Sequence, residues 1–451
     1  MMATLLLKNA SVVVTFDDTR REINDGALFI RDNVIDQVGP SKDLPAQADE
    51  VFDLTGHIVL PGLINTHHHM YQSLTRAIPA AQDAELFGWL KTLYPIWERL
   101  TPEMIRVSTL TAMAELILSG CTSSSDHLYV YPNGCRLDDS IEAATQIGMR
   151  FHASRGSMSV GESQGGLPPD SLVEKEPDIL TDTQRLIETY HDTNTHAMLR
   201  IAVAPCSPFS VSQELMRDSA VLAREYSVGL HTHLAENTND IAYSRTQFDM
   251  TPAEYVEDLG WVGGDVWHAH CVQLDQSGID LFARTGTGVA HCPCSNMRLA
   301  SGIAPVRNML DSGVNVGLGI DGSASNDGGH MLAEARQALL LQRVGFGPAA
   351  LSARDALELA TRGGANVLGR DDIGYLAPGM AADCIAFDLN QIGFAGGLHD
   401  PVAALLFCTP ASVAYSFING KLIVEKGRLT TIEFEPILES HNSLAATLVR
   451  G

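Results

Sequence analysis

Long apolar runs are missing from this chain. No stretch approaches the roughly 18 residues that would suggest a membrane-spanning helix. Leu5, Leu6 and Leu7 are followed at once by Lys8 and Asn9, too short an apolar core for a secretory leader. Paired cysteines are missing as well. The eight cysteines lie scattered through 451 residues, with no C-x-x-C pair and no dense framework. That pattern reads as reduced thiols in a cytoplasmic protein. Cys292-Pro293-Cys294 has the wrong spacing for a zinc knuckle. Positive charge is scarce: 30 Lys and Arg stand against 54 Asp and Glu, a formal net charge of −24. Such a surface repels phosphate backbones and anionic membranes. Polymeric nucleic acid and membranes are therefore not the expected partners, whereas a small neutral heterocycle is compatible. Internal repeats and long low-complexity tracts are also lacking. What remains, 45% hydrophobic and 19% charged residues, is ordinary globular usage with enough length for a large core.

Both ends of the chain read as β-rich. Leu5–Leu7, Ser11–Thr15, Ala27–Arg31 and Val34–Val38 are short apolar or β-branched runs, punctuated by Asn24-Asp25-Gly26 and Gly39-Pro40. Ala382–Asp388, Val413–Ile418 and Lys421–Glu425 repeat the pattern, with Asn419-Gly420 as a hairpin turn. Between them, apolar strand-like runs alternate with helical ones. Candidate strands end near Leu63, Asp126, Ser154, Ala204, His233, His270, His291 and Ile320. About eight strands at that spacing predict an α/β fold, a (β/α)₈ TIM-type barrel with insertions. Thr101-Pro102-Glu103 opens a helix reaching Ser119 and closed by Gly120, and Leu351-Ser352 opens another to Leu368. The expected organisation is a small β-sandwich-like domain built from both termini, residues 1–60 and 372–451 with a tail, around a barrel at 61–371. Arg155–Pro169, rich in Gly, Ser and Pro, reads as a surface loop or a lid over the site.

Several of the sixteen histidines fall at predicted C-terminal strand ends, which converge on one mouth of a barrel. Thr66-His67-His68-His69 follows an apolar strand. Residues two apart point the same way, so His67 and His69 can face one metal while His68 points elsewhere. In His231-Thr232-His233-Leu234-Ala235-Glu236, His233 reads as a ligand and Glu236 as a proton shuttle, with His231 structural or supporting. His270 ends Val266–His270 as a site residue, and Asp321 ends the last strand as a fourth ligand. Three imidazoles and a carboxylate form an N₃O set, which suits one divalent metal: Zn²⁺ first, Fe²⁺ as the other choice.

These runs resemble the amidohydrolase superfamily. They include Pro61–His69, His231–Glu236, His270-Cys271-Val272, His291-Cys292-Pro293 with Ser295-Asn296, and Gly319-Ile320-Asp321-Gly322. More narrowly they look like its branch of guanine, cytosine and S-adenosylhomocysteine deaminases and s-triazine hydrolases, with the greatest likeness to enzymes acting on 8-oxoguanine. The resemblance covers essentially the whole chain. It implies metal ligands at His67, His69, His233 and Asp321, with Glu236, His270 and Asp321 as catalytic groups, and a homo-oligomer. Binuclear members carry a bridging lysine or glutamate at the end of the fourth strand. Ala202–Ser207 has neither, so a single metal is expected.

The expected reaction is hydrolytic deamination of a purine-type cyclic amidine. In it Asp321 takes a proton from water, His270 orients the nucleophile and Glu236 protonates a ring nitrogen. Guanine deaminases have a glutamine where Gln72 stands, and the resemblance implies that it reaches the substrate edge. Trp89 and Trp97 lie on an insertion that forms a pocket wall or packs into the core; Tyr129 and Asn296 are further candidate substrate contacts. Guanine deaminases also place an arginine before a Phe-Ser pair, where this chain has Pro208 before Phe209-Ser210. That difference argues against plain guanine and is compatible with 8-oxoguanine, isoguanine or isocytosine. An s-triazine chlorohydrolase or aminohydrolase, or another nucleobase or nucleoside deaminase, is the alternative.

Overall fold

The computed structural model describes residues 3–451. The N-terminal part supplies β1 (Thr4–Val14), β2 (Glu22–Arg31), β3 (Val34–Pro40), β4 (Glu50–Asp53) and β5 (His57–Pro61). The two runs Leu5–Leu7 and Ser11–Thr15 are one strand. Asn9, at φ 61°, breaks the register between Leu7 and Ala10, and this bulge turns the strand so that its two halves pair with β4 and β5. The barrel follows as β6 (Leu63–Asn65), β7 (Cys121–Leu128), β8 (Arg150–Ser157), β9 (Leu199–Pro205), β10 (Gly229–Leu234), β11 (Val266–His270), β12 (Gly288–His291) and β13 (Asn315–Leu318). Each strand pairs in parallel with the next. The Thr66 N–H donates to the Leu318 carbonyl at 2.8 Å and joins the last strand to the first.

The chain then returns to the small sheet with β14 (Cys384–Asp388), β15 (Tyr415–Ile418), β16 (Lys421–Glu425) and β17 (Arg428–Leu429). β14 lies antiparallel to β5, placing Ile385 opposite Leu60. The sandwich-like enclosure is thus made by one continuous nine-stranded sheet, in the order β17-β16-β15-β14-β5-β1-β2-β3 with β4 on β1. Leu7, Val13, Leu28, Ile30, Val59 and Phe417 fill its core. Only Gly62 separates β5 from β6. A Cβ there would lie 2.0 Å from the Thr122 hydroxyl oxygen, so the close approach of β7 requires glycine.

Two helices follow β6: α1 (Leu86–Trp97), which lines the mouth, and α2 (Pro102–Leu118), which packs against β7. The Thr101 hydroxyl caps α2 by accepting the Met104 N–H, and Gly120, at φ 102°, ends it. The second expected helix is interrupted. Ala353–Glu358 passes through a π turn, Leu359–Gly363, into Gly364–Val367. The wider turn seats Gly363 and Gly364 against the barrel floor, where Cβ atoms would lie 2.4 Å from the Val316 carbonyl and 2.9 Å from Ile64. The tail forms a helix, Phe434–Arg450, whose His441 Nε2 lies 3.1 Å from the Ser73 hydroxyl.

Candidate metal centre

Five side chains from four strand ends meet inside the barrel mouth. His67 and His69 follow β6, His233 lies on β10, His270 ends β11 and Asp321 lies just beyond β13. All are buried. The alternation that sends His67 and His69 inward turns His68 away into protein, where neither of its ring nitrogens has a partner. Asp321 (φ 64°), His270 (71°), Cys271 (48°) and Ala235 (51°) adopt left-handed backbone. Such conformations are costly for residues with a Cβ and persist only where the surrounding structure imposes them.

Hydrogen bonds set the imidazole tautomers. His69 Nδ1 lies 2.7 Å from the His127 carbonyl and His233 Nδ1 2.6 Å from the Cys206 carbonyl, so both Nδ1 atoms carry the proton. His231 Nδ1 donates to the Trp267 carbonyl at 2.9 Å, which makes His231 Nε2 an acceptor. That acceptor takes the His67 Nδ1 proton at 2.8 Å. All three Nε2 atoms are therefore lone pairs. Those of His69 and His233 stand 3.1 Å apart, and Asp321 Oδ1 lies 3.3 Å from the Nε2 atoms of both His67 and His69. His67 Nε2 has no hydrogen-bond partner. Acceptors that face one another in a buried site repel unless a cation lies among them, so this donor set fits a divalent metal. His67, His233, His270 and Asp321 each offer a ligand atom within 4.8 Å of the others, as do His67, His69, His127 and His233.

The two carboxylates differ. Burial opposes ionisation of Asp321, but the imidazoles of His67, His69 and His270 around it outweigh burial and hold this carboxyl well below its ordinary range. Its other oxygen accepts the Ser295 and Ser325 hydroxyls at 2.5 and 2.8 Å. Burial and the negative charge of Asp321 raise Glu236 well above its ordinary value. Glu236 Oε2 lies 3.6 Å from His270 Nε2, while Oε1 has no partner. Burial drives the imidazole of His67 down to about 3.

A narrow cavity opens onto this cluster. Its polar wall includes Gln72, Tyr129, Cys206 and Ser207; its apolar wall includes Trp89, Leu90, Tyr94, Phe209 and Leu299. Gln72 Nε2 approaches the Tyr129 hydroxyl at 3.5 Å and its Oε1 is unpaired. Trp89 donates its indole N–H to the Ala324 carbonyl at 3.0 Å and lines the cavity. Trp97 packs in the core with its N–H on Thr75.

Asn296 does not line the cavity. Its Oδ1 accepts the His270 Nδ1 proton at 2.9 Å, which orients that imidazole. None of the residues of the Arg155–Pro169 segment lines the cavity, in keeping with the surface-loop reading. Val160 and Leu167 instead donate backbone N–H groups to Ser210 and Phe209 and brace the loop after β9. The bracing serines Ser295 and Ser325, the His127 carbonyl and the apolar wall residues Leu86, Leu90, Tyr94, Phe209 and Leu299 had no assigned role in the sequence reading. Only His127, a polar residue at a strand end, carried a readable signal.

The amidohydrolase family model matches residues 58–423. The 8-oxoguanine deaminase of Pseudomonas aeruginosa is 44% identical over 94% of this chain and 95% of its own length. The 5-methylthioadenosine/S-adenosylhomocysteine deaminase of Pelotomaculum thermopropionicum is 35% identical over 99% of both chains. Among solved structures, the zinc-complexed atrazine chlorohydrolase of Arthrobacter aurescens TC1 superposes with a TM-score of 0.94 at 36% identity, covering 98% of this chain and 100% of that one. Fold, buried imidazole–carboxylate cluster and these likenesses agree: the chain belongs to the amidohydrolase family, as a hydrolase acting on carbon–nitrogen bonds.

Proposed function

We propose that this protein deaminates an aminated purine-type heterocycle, with 8-oxoguanine as substrate and urate and ammonia as products. Isocytosine and isoguanine are further substrates in this reading. The observation that carries it is the 44% identity to an 8-oxoguanine deaminase along nearly the whole chain. The cavity supports it: Trp89 and Phe209 offer apolar surface to a heterocycle, and Gln72 lies on the polar wall.

His67, His69, His233 and Asp321 would hold one divalent cation, and three imidazole nitrogens with one carboxylate favour Zn²⁺. When bound, such a cation lowers the pKa of water from 15.7 towards about 7. Asp321, kept ionised, accepts the proton of the attacking water. His270, fixed by Asn296, presents Nε2 to the nucleophile and to Glu236. Glu236, kept protonated by its surroundings, donates to the ring nitrogen beside the amine-bearing carbon. Oxygen adds to that carbon; the hydroxyl proton then passes to Glu236 as the carbonyl forms, the carbon–nitrogen bond breaks and ammonia leaves with the proton that Asp321 accepted.

The likeness to the atrazine chlorohydrolase favours a second reading, in which chloride leaves a triazine. An ion-specific assay of the zinc-loaded protein separates the two. Ammonia should appear with 8-oxoguanine and exceed release from guanine, cytosine, adenosine derivatives and aminotriazines. Chloride release from chlorotriazines without ammonia from any purine would reject the deaminase.

A further inference from the structure

The opposite end of the barrel holds a cationic cavity of about 450 Å³, lined at the strand starts by His152, His191, Arg200, Arg224, Trp267 and Leu368. Three of the four arginines at this end are satisfied. Arg150 grips Asp383 with two bonds of 2.9 Å, Arg370 grips Asp372 at 2.7 and 2.9 Å, and Arg224 binds Asp265 at 3.0 Å. Arg200 has no ion-pair or hydrogen-bond partner among the described residues, and its Nε is buried. Asp371, Asp372 and Asp192 lie close enough to act on its charge, yet none pairs with it. Burial and the positive charge of Arg370 both work against the guanidinium. A partly buried guanidinium that lines a cavity without a carboxylate partner can receive an anion.

The neighbouring histidines fit the same ligand. His191 Nδ1 accepts the Ile201 N–H at 3.1 Å, which leaves its Nε2 as a donor. His152 Nε2 faces Arg370 Nη1 at 3.3 Å and is held neutral by burial and by the surrounding arginines. No carboxylate other than Asp265, already paired with Arg224, lines the cavity. We propose that this floor cavity binds a small phosphoryl oxyanion, with the forked guanidinium of Arg200 as its principal contact and His191 as a second donor. The volume admits an organic group on the phosphate, lying along the edge of Trp267 and Leu368.

Calorimetric titration of the metal-loaded full chain with inorganic phosphate, and separately with adenosine 5′-monophosphate, tests the proposal. Saturable binding of one or both is expected. In Arg200→Met it should weaken at least tenfold; in Arg200→Lys, which keeps the charge but loses the fork, it should weaken less. Comparable affinities would identify the free anion as the ligand, and a tenfold preference for the monophosphate would identify an esterified one. In anion-free buffer Arg200→Met should melt no lower than the parent, because it removes an unpaired charge. Three outcomes overturn the proposal: no saturable binding by either titrant, binding that survives Arg200→Met (as phosphate captured at the barrel mouth would), or a large loss of melting temperature in that variant without anion.

Discussion

A carboxyl group in a dry cavity is neutral unless something rewards its charge, and the barrel mouth contains one carboxyl of each kind. Asp321 is met by two serine hydroxyls at 2.5 and 2.8 Å; Glu236 is faced by no donor shorter than 3.6 Å. Glu236→Gln keeps shape and metal ligands but has no proton to give. It should retain full metal content while kcat falls about 10²–10⁴-fold, measurable by ammonia release beside metal analysis. A second prediction concerns Gly322, where a Cβ would lie 1.7 Å from Gln72 Oε1. Gly322→Ala should push the glutamine amide out of position and raise KM for the purine several-fold with metal content unchanged. The H-x-H of His67 and His69 was legible because extended backbone repeats every two residues. The tautomer of His67 was not. It depends on His231 and on the Trp267 carbonyl, which only the register of β10 against β11 brings together.

Between elements, the strands were the readable part, since an apolar run ended by a polar cluster marks both a strand and its mouth end. The β1 bulge, β4 and the π turn escaped because each answers to a neighbour: Asn9 to two partner strands, Gly363 and Gly364 to the barrel floor. For Arg155–Pro169 the composition left two readings open, surface loop or lid. Gly-rich composition marks a loop, not what the loop covers. One contact tests how the sheets hold together. Arg150 on β8 and Asp383 before β14 are both buried and paired at 2.9 Å, and Asp383 also accepts the Asn419 N–H. Asp383→Asn leaves the guanidinium facing a neutral group in the interior and should cost about 3–5 kcal/mol, read as a lower midpoint in urea.

Over the whole molecule, metal and protons pull on the same equilibrium. The facing lone pairs of the histidines make the cation part of the folded state. Stripping it should lower the melting temperature, and restoring Zn²⁺ at a thousandfold excess over Kd should return about 4 kcal/mol. Acid acts through histidines away from that centre. Burial lowers His268 to about 4, His291 to about 3 and His441 to about 4 from an ordinary 6.5. Below pH 6.5 the unfolded chain takes up protons that the folded one refuses, so their contribution is complete above 6.5 and lost as pH falls towards 4 and 3. Glu334, raised by burial to about 7, and Asp126 and Asp240, raised by burial to about 6, act in the opposite direction, but His152 and His191, also lowered by burial, join the other histidines and outnumber them. The melting temperature should therefore decline from about pH 6.5 downward, earlier than carboxylate titration alone would bring.

The single residue between β5 and β6 gives the small sheet a mechanical duty. β5 is clamped between β1 and β14, and its next step is the strand that delivers His67 and His69. Excising the outer sheet would not liberate an autonomous catalytic core; it would untie the mooring of two imidazoles from the far side of the molecule.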